Sequence, residues 1–175
     1  LKRRNFGEAD RILTVFSLHR GKISVLAKGV RRITSRRAGN VELLNRSILY
    51  LHLGKGMPIL TEATTLDIHS KLKENLTLST YAYHILELVD KLTADNQENR
   101  ILYEYLVEVL RRLEKKPRQI LIRAYEAKIL SNLGFSTFLS HGVYLPHPRG
   151  DIDGHLRSLE ILGWDEIEKM KINQK

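Results

Sequence analysis

The chain has 175 residues, 42% of them hydrophobic and 28% charged, enough to bury a core in one domain or two small ones. It contains no cysteine, which excludes a disulfide scaffold and any zinc site built on thiolates and fits a reducing cytoplasm. The net charge of +9 sits wholly in residues 1–66, where 13 Lys and Arg face 4 Asp and Glu, while residues 67–175 carry 16 of each. A basic N-terminal module suited to a polyanion is the expectation.

In chain order, the first runs are short, rich in β-branched residues and bounded by glycine. Residues 1–4 predict the end of a first strand. Residues 11–18 (RILTVFSL) predict a second, with Ile12, Thr14, Phe16 and Leu18 on one face. His19-Arg20-Gly21-Lys22 supplies the turn into a returning strand at 23–27. Residues 47–53 (SILYLHL) and 59–66 predict two more, joined by Gly54-Lys55-Gly56-Met57-Pro58. Five short antiparallel strands hide their edges best by curling, so the expected fold over residues 1–66 is a five-stranded OB-type β-barrel.

After residue 66 the period becomes helical, giving an α+β chain with a helical domain over 67–175. Tyr81, Ile85, Leu88, Val89 and Leu92 recur at spacings of three and four, as do Ile101, Leu102, Tyr105, Leu106, Val109 and Leu113. Pro117 ends the second helix. Residues 118–133 predict a third, closed by Gly134 as its C-terminal cap. Residues 140–153 read as loop, and short helices are expected at 155–162 and 164–171. No run approaches the roughly 20 apolar residues of a membrane span. The chain opens at Leu1 without methionine, which predicts a few upstream residues.

Residues 27–39 (AKGVRRITSRRAG) concentrate Lys28, Arg31, Arg32, Arg36 and Arg37 with no acidic residue among them. Cations in a glycine-flanked segment can follow a phosphate backbone, each contact releasing a condensed counterion, and arginine also stacks on exposed bases. Arg20 and Lys22 share the hairpin turn and join them as candidates; Arg3, Arg4 and Lys55 are further basic positions. The plain alternative is a solvated charge run. Among the barrel aromatics, Phe16 and Tyr50 alternate with apolar neighbours, which points to core packing for both.

Asn5-Phe6-Gly7-Glu8-Ala9-Asp10-Arg11-Ile12-Leu13-Thr14, then Gly21-Lys22 and Ala27-Lys28-Gly29-Val30-Arg31-Arg32, resembles the N-terminal region of the bacterial RecO family of DNA repair proteins. Gly54-Lys55-Gly56-Met57-Pro58-Ile59-Leu60-Thr61-Glu62-Ala63 is similar to that family's final barrel strand. The resemblance implies a cytoplasmic, nucleoid-associated recombination mediator that uses no cofactor and is not an enzyme. Such a protein binds single- and double-stranded DNA and anneals complementary strands. It works with RecR and single-strand-binding protein to load recombinase. Many family members carry a four-cysteine zinc site in the helical domain; here the corresponding stretch reads S-T-F-L-S-H-G-V-Y, so that site is excluded.

The same residues admit three other readings. Glu8 and Asp10 lie two apart and can pair on Mg²⁺ as in a nuclease, although an ion pair or turn contact is the plainer role. His141, His147, Asp151, Asp153 and His155 are possible metal ligands, but their spacing matches no hydrolase or structural-zinc pattern. A basic adaptor that binds RNA through the same barrel is the main rival. In the helical half, Tyr81, Tyr83, Tyr103, Tyr105 and Tyr125 suit either bundle packing or a wet protein interface. By the resemblance, the cluster Arg111, Arg112, Lys115, Lys116, Arg118 and Arg123 is the candidate receiver of the acidic C-terminal tail of single-strand-binding protein.

Overall fold

The computed structural model of the protein describes residues 1–135 and 162–170. Five strands open the chain: β1 (Lys2–Phe6), β2 (Asp10–Ser17), β3 (Gly21–Ala27), β4 (Arg46–His52) and β5 (Ile59–Asp67). β1, β2 and β3 form an antiparallel meander in which Arg3 faces Leu13 and Leu13 faces Val25. β4 and β5 form a second antiparallel pair with register shifts at Arg46/Ser47 and Tyr50/Leu51. A parallel bridge between Leu26 and Ile59 joins the two parts, giving the order β1-β2-β3-β5-β4.

The sheet is open rather than closed into the expected barrel: among the described residues, no ladder joins β1 to β4. β1 explains why. Its sequence, KRRNF, has no apolar inward face, and all five residues are exposed. Lys2 instead pairs with Asp90 and Arg3 with Glu42.

The core of the sheet is built from alternate residues of β3 (Ile23, Val25, Ala27), from Leu13 of β2, and from Leu60 and Ala63 of β5. Val30 and Val41 belong to the same buried cluster, with Ala38 and Val15 packed against it, although Val30, Ala38 and Val41 lie in the connection between β3 and β4. On β2 the core therefore takes Leu13 and Val15, not the expected face of Ile12, Thr14 and Phe16. Both parities of RILTVFS are apolar, so alternation alone cannot choose. Phe16 lies half-buried against Tyr103 with ring centroids 6.4 Å apart, and Tyr50 is 53% exposed; neither belongs to the sheet core.

The helices are α1 (Ser70–Glu74), α2 (Leu76–Leu92), α3 (Arg100–Lys115), α4 (Gln119–Asn132) and α5 (Trp164–Lys169). The side chains of Asn75 and Asn99 accept hydrogen bonds from the backbone N–H groups of Leu78 and Leu102, capping α2 and α3. α4 ends as expected at Gly134, which has φ +85°; the Gly134 N–H donates to the Ser131 carbonyl and the Phe135 N–H to that of Leu130. The chain divides into two compact units, Leu1–Tyr103 and Glu104–Lys175, with the division falling inside α3. In the second unit, Ile120, Ala124 and Ala127 of α4 bury Ile167 of α5. The expected helix at 164–171 is seen as Trp164–Lys169, whereas the expected loop at 140–153, nearly all of the expected helix at 155–162, and the histidine/aspartate set His141, His147, Asp151, Asp153 and His155 lie outside the described residues.

Candidate nucleic-acid interface

The basic segment is fixed at both ends by the sheet. Val30 and Val41 are buried, so residues 31–37 are the part displayed between two apolar anchors. Polar bonds add to this. The Asp10 carboxylate accepts from the Gly29 N–H at 2.7 Å, and the Arg31 N–H donates to the Ala9 carbonyl at 2.9 Å. Asn40 donates to the Ala63 carbonyl at 2.8 Å and accepts from the Thr65 hydroxyl at 2.9 Å. A solvated, unattached charge run does not have these bonds.

Inside the loop, Arg37 differs from its neighbours. Its guanidinium donates to the carbonyls of Leu60 and Lys28, each at 2.8 Å, strapping the segment across to β5. Arg31 donates to the Gly7 carbonyl at 3.3 Å. Lys28, Arg32 and Arg36 are exposed and, with Asp10, Gly29, Thr34, Ser35 and Arg37, line an open pocket of about 470 Å³. Ser35 contributes a buried hydroxyl oxygen with no protein hydrogen-bond partner. An oxyanion in this pocket would meet three exposed cations, with the lining Asp10 carboxylate already engaged by the Gly29 amide.

Ion pairing elsewhere sharpens the contrast. Arg3 and Arg11 share Glu42, Arg46 meets Asp67 at 2.5 Å, and Lys2 meets Asp90. Lys22, a candidate from its place beside the hairpin turn, donates to the Asp90 carbonyl at 2.7 Å and lies 3.4 Å from the Asp95 carboxylate. The exposed Arg20 sits in the turn, and neither it nor Lys22 nor Arg31 lines the pocket. Among the described residues, Lys28, Arg31, Arg32 and Arg36 form no ion pair, so this loop holds four unneutralised cations close in sequence, whereas Arg4, Arg20 and Lys55 are exposed one to a strand or turn.

Glu8 and Asp10 do not act as a matched carboxylate pair. Glu8 is exposed in the turn after β1, while Asp10 is spent on the Gly29 amide, the turn contact that two-residue spacing alone could not distinguish from a metal pair. Among the described residues, no group of three or more His, Asp or Glu side chains could hold a metal ion. Ser35 escaped the sequence reading because a lone serine in a basic run carries no signal.

The helical candidates divide as sharply. Arg112 is held by Glu108 at 2.5 Å, Asp165 at 2.7 Å and Glu168 at 2.9 Å, tying α3 to α5. Burial opposes its charge, but those three hydrogen bonds outweigh it and raise the guanidinium above its ordinary range. Arg118 donates to the carbonyls of Glu168 and Met170. Arg111 pairs with Glu108 at 2.6 Å and Arg123 with Glu126 at 2.9 Å, each within its own helix. Lys115 and Lys116 remain exposed at the end of α3. Of the tyrosines, Tyr83 is exposed, Tyr105 meets Trp164 edge-on, and Tyr125 is fully buried, which pushes its hydroxyl pKa well up.

This arrangement defines a class: an OB-type sheet domain followed by helices, with a cluster of unpaired positive charge on an anchored loop between the third and fourth strands. Residues 1–69 match the family model described as Recombination protein O N terminal, and residues 73–144 match Recombination protein O C terminal. The chain belongs to the RecO family. It is 33% identical over 163 residues to the DNA repair protein RecO of Pelotomaculum thermopropionicum, covering 93% of this chain and 62% of that protein. The corresponding protein of Acetivibrio thermocellus is 35% identical over 143 residues, or 80% and 57% of the two chains. For Roseiflexus sp. the values are 35% over 136 residues, 77% and 48%. The chain thus spans about half to three-fifths of the length of these relatives.

Proposed function

We propose that this chain is the DNA-holding part of a RecO-type repair mediator, which binds single- and double-stranded DNA through the β3–β4 loop and anneals complementary strands. The observation that carries the reading is the anchored loop itself: Lys28, Arg32 and Arg36 surround a pocket with no ion-paired partner among the described residues, while Val30 and Val41 hold its ends in the core. Phosphates are the natural ligands of such a pocket. Pairing of two captured strands then needs no bond cleavage, so the role is that of a mediator rather than a catalyst. Within the cell, the family context supports work beside RecR and single-strand-binding protein in loading recombinase. Lys115 and Lys116 are the helical cations best placed to meet an acidic tail, because Arg112 and Arg118 are occupied in joining α3 and α4 to α5.

Fluorescence anisotropy of a labelled single strand across a salt series tests the reading. Three phosphate contacts should contribute about −2 to the slope of log K against log salt. The variant Lys28→Ala, Arg32→Ala, Arg36→Ala should lose that amount and keep its fold, since none of the three side chains holds the loop. Arg37 is left in place because its removal would free the loop from β5. An unchanged slope would move the DNA surface elsewhere, and a strong preference for structured RNA would favour an RNA-binding adaptor.

A further inference from the structure

Ile33 is the most exposed large apolar side chain among the described residues, at 105% of its reference exposure. It occupies the first corner of a tight turn closed by the Ser35 N–H donating to the Arg32 carbonyl at 2.9 Å. Turn corners favour Gly, Pro, Asn, Asp and Ser, whose backbones or short polar side chains suit them, and a β-branched apolar residue has no local reason to be there. Positions where a sequence breaks its own local rules are where function is expected. This turn is also positioned rather than trailing, since the Arg31 N–H and guanidinium bond Ala9 and Gly7 on one side and the Arg37 strap holds the other.

We propose that Ile33 is an apolar finger that packs against the face of an unpaired base while the neighbouring cations hold the phosphates. The inference rests on the DNA-binding reading above and adds the contact that distinguishes single from double strands. Residues 32 and 34–37 line the cationic pocket and Ile33 does not, so a phosphate in the pocket leaves the isoleucine free. Base faces are apolar and available once unstacked, and apolar side chains are used as wedges between bases in other protein–DNA contacts. The flanking cations Arg31, Arg32 and Arg36 select a polyanion as the occupant. A membrane surface fits less well, because one apolar residue in a turn is not the amphipathic helix that such binding uses.

The test compares the full-length wild type with Ile33→Ser and Ile33→Phe on a labelled single strand and on a blunt duplex across a salt series. A 2-aminopurine in the single strand reports stacking directly. Ile33→Ser should weaken single-strand binding about fivefold at every salt concentration, with an unchanged slope, because a base contact releases no counterion. Ile33→Phe should bind at least as tightly as wild type, and duplex affinity should stay within about twofold for both variants. Equal single-strand binding by Ile33→Ser and wild type overturns the inference and leaves the phosphate reading standing. Equal losses on single strand and duplex also overturn it. A wild type that ignores DNA but binds phosphatidylglycerol vesicles, with that binding lost in Ile33→Ser, overturns both and assigns the loop to a membrane. Loss of binding in the Lys28/Arg32/Arg36 variant, with a parallel curve for Ile33→Ser, supports the two roles separately.

Discussion

Gly21 shows how little freedom one residue can have. It starts β3 with φ +62°, and a Cβ there would lie 1.7 Å from the Gln97 carbonyl oxygen. The left-handed backbone and the close approach both exclude a side chain. Gly7 has a similar φ of +56° with open space around it, so it isolates the backbone contribution. Gly21→Ala should cost about 3 kcal/mol or more and Gly7→Ala about 1 kcal/mol, read as shifts of the urea midpoint at constant slope. The sequence marks Gly21 as a turn residue but cannot show Gln97, because that contact spans 76 positions of chain. The same blindness applies to Asp10 and Lys22. Their partners, Gly29 and the Asp90–Asp95 region, become visible only when the sheet is formed. Ile33 is the opposite case: its oddity is legible locally, as an isoleucine between arginines and Thr34, once the surrounding residues are known to form a turn.

At the scale of elements, most of the architecture could be read from periodicity. The alternation of β3, the spacing of three and four in α2 and α3, and the glycine cap of α4 are short-range patterns that backbone geometry imposes on a sequence. What failed was long-range. Barrel closure depends on whether β1 and β4 meet, and strand number does not decide that. The ionic join of α3 to α5 was likewise hidden, since Arg112 and Glu168 lie far apart in sequence while the basic run around them suggests a free surface. That join predicts a pH dependence. The Arg111 hydrogen bond holds the Glu108 carboxyl below its ordinary value of 4.5, partial burial opposes this, and Arg112 reinforces it. A carboxyl whose folded pKa is depressed stabilises the fold above its unfolded pKa and loses that contribution as pH falls through the folded value. Stability should therefore decline below about pH 4.5. Glu108→Gln should cost about 1 kcal/mol at pH 7, a figure reduced for partial exposure, and should flatten that acid limb in denaturant titrations.

For the whole molecule, the uneven charge is the feature that ties sequence to function. The excess of nine in residues 1–66 was legible by counting, but counting could not separate spent cations from available ones. Folding neutralises Lys2, Arg3, Arg11, Lys22 and Arg46 against Asp90, Glu42, Asp95 and Asp67, and leaves Lys28, Arg31, Arg32 and Arg36 together on the β3–β4 loop, with Arg4, Arg20 and Lys55 exposed singly elsewhere. The helical half carries no net charge to add, so DNA affinity and partner affinity should separate cleanly. Lys115→Ala with Lys116→Ala should leave the single-strand salt slope unchanged within about 0.3, while weakening capture of an acidic, hydrophobic peptide several-fold. The Lys28/Arg32/Arg36 variant should do the reverse, because counterions are released only where phosphates are held. Salt-series anisotropy with the two ligands on the same preparations measures both. If both the double and the triple variant reduce the DNA slope, the polyanion surface extends beyond the loop and this division of labour is wrong.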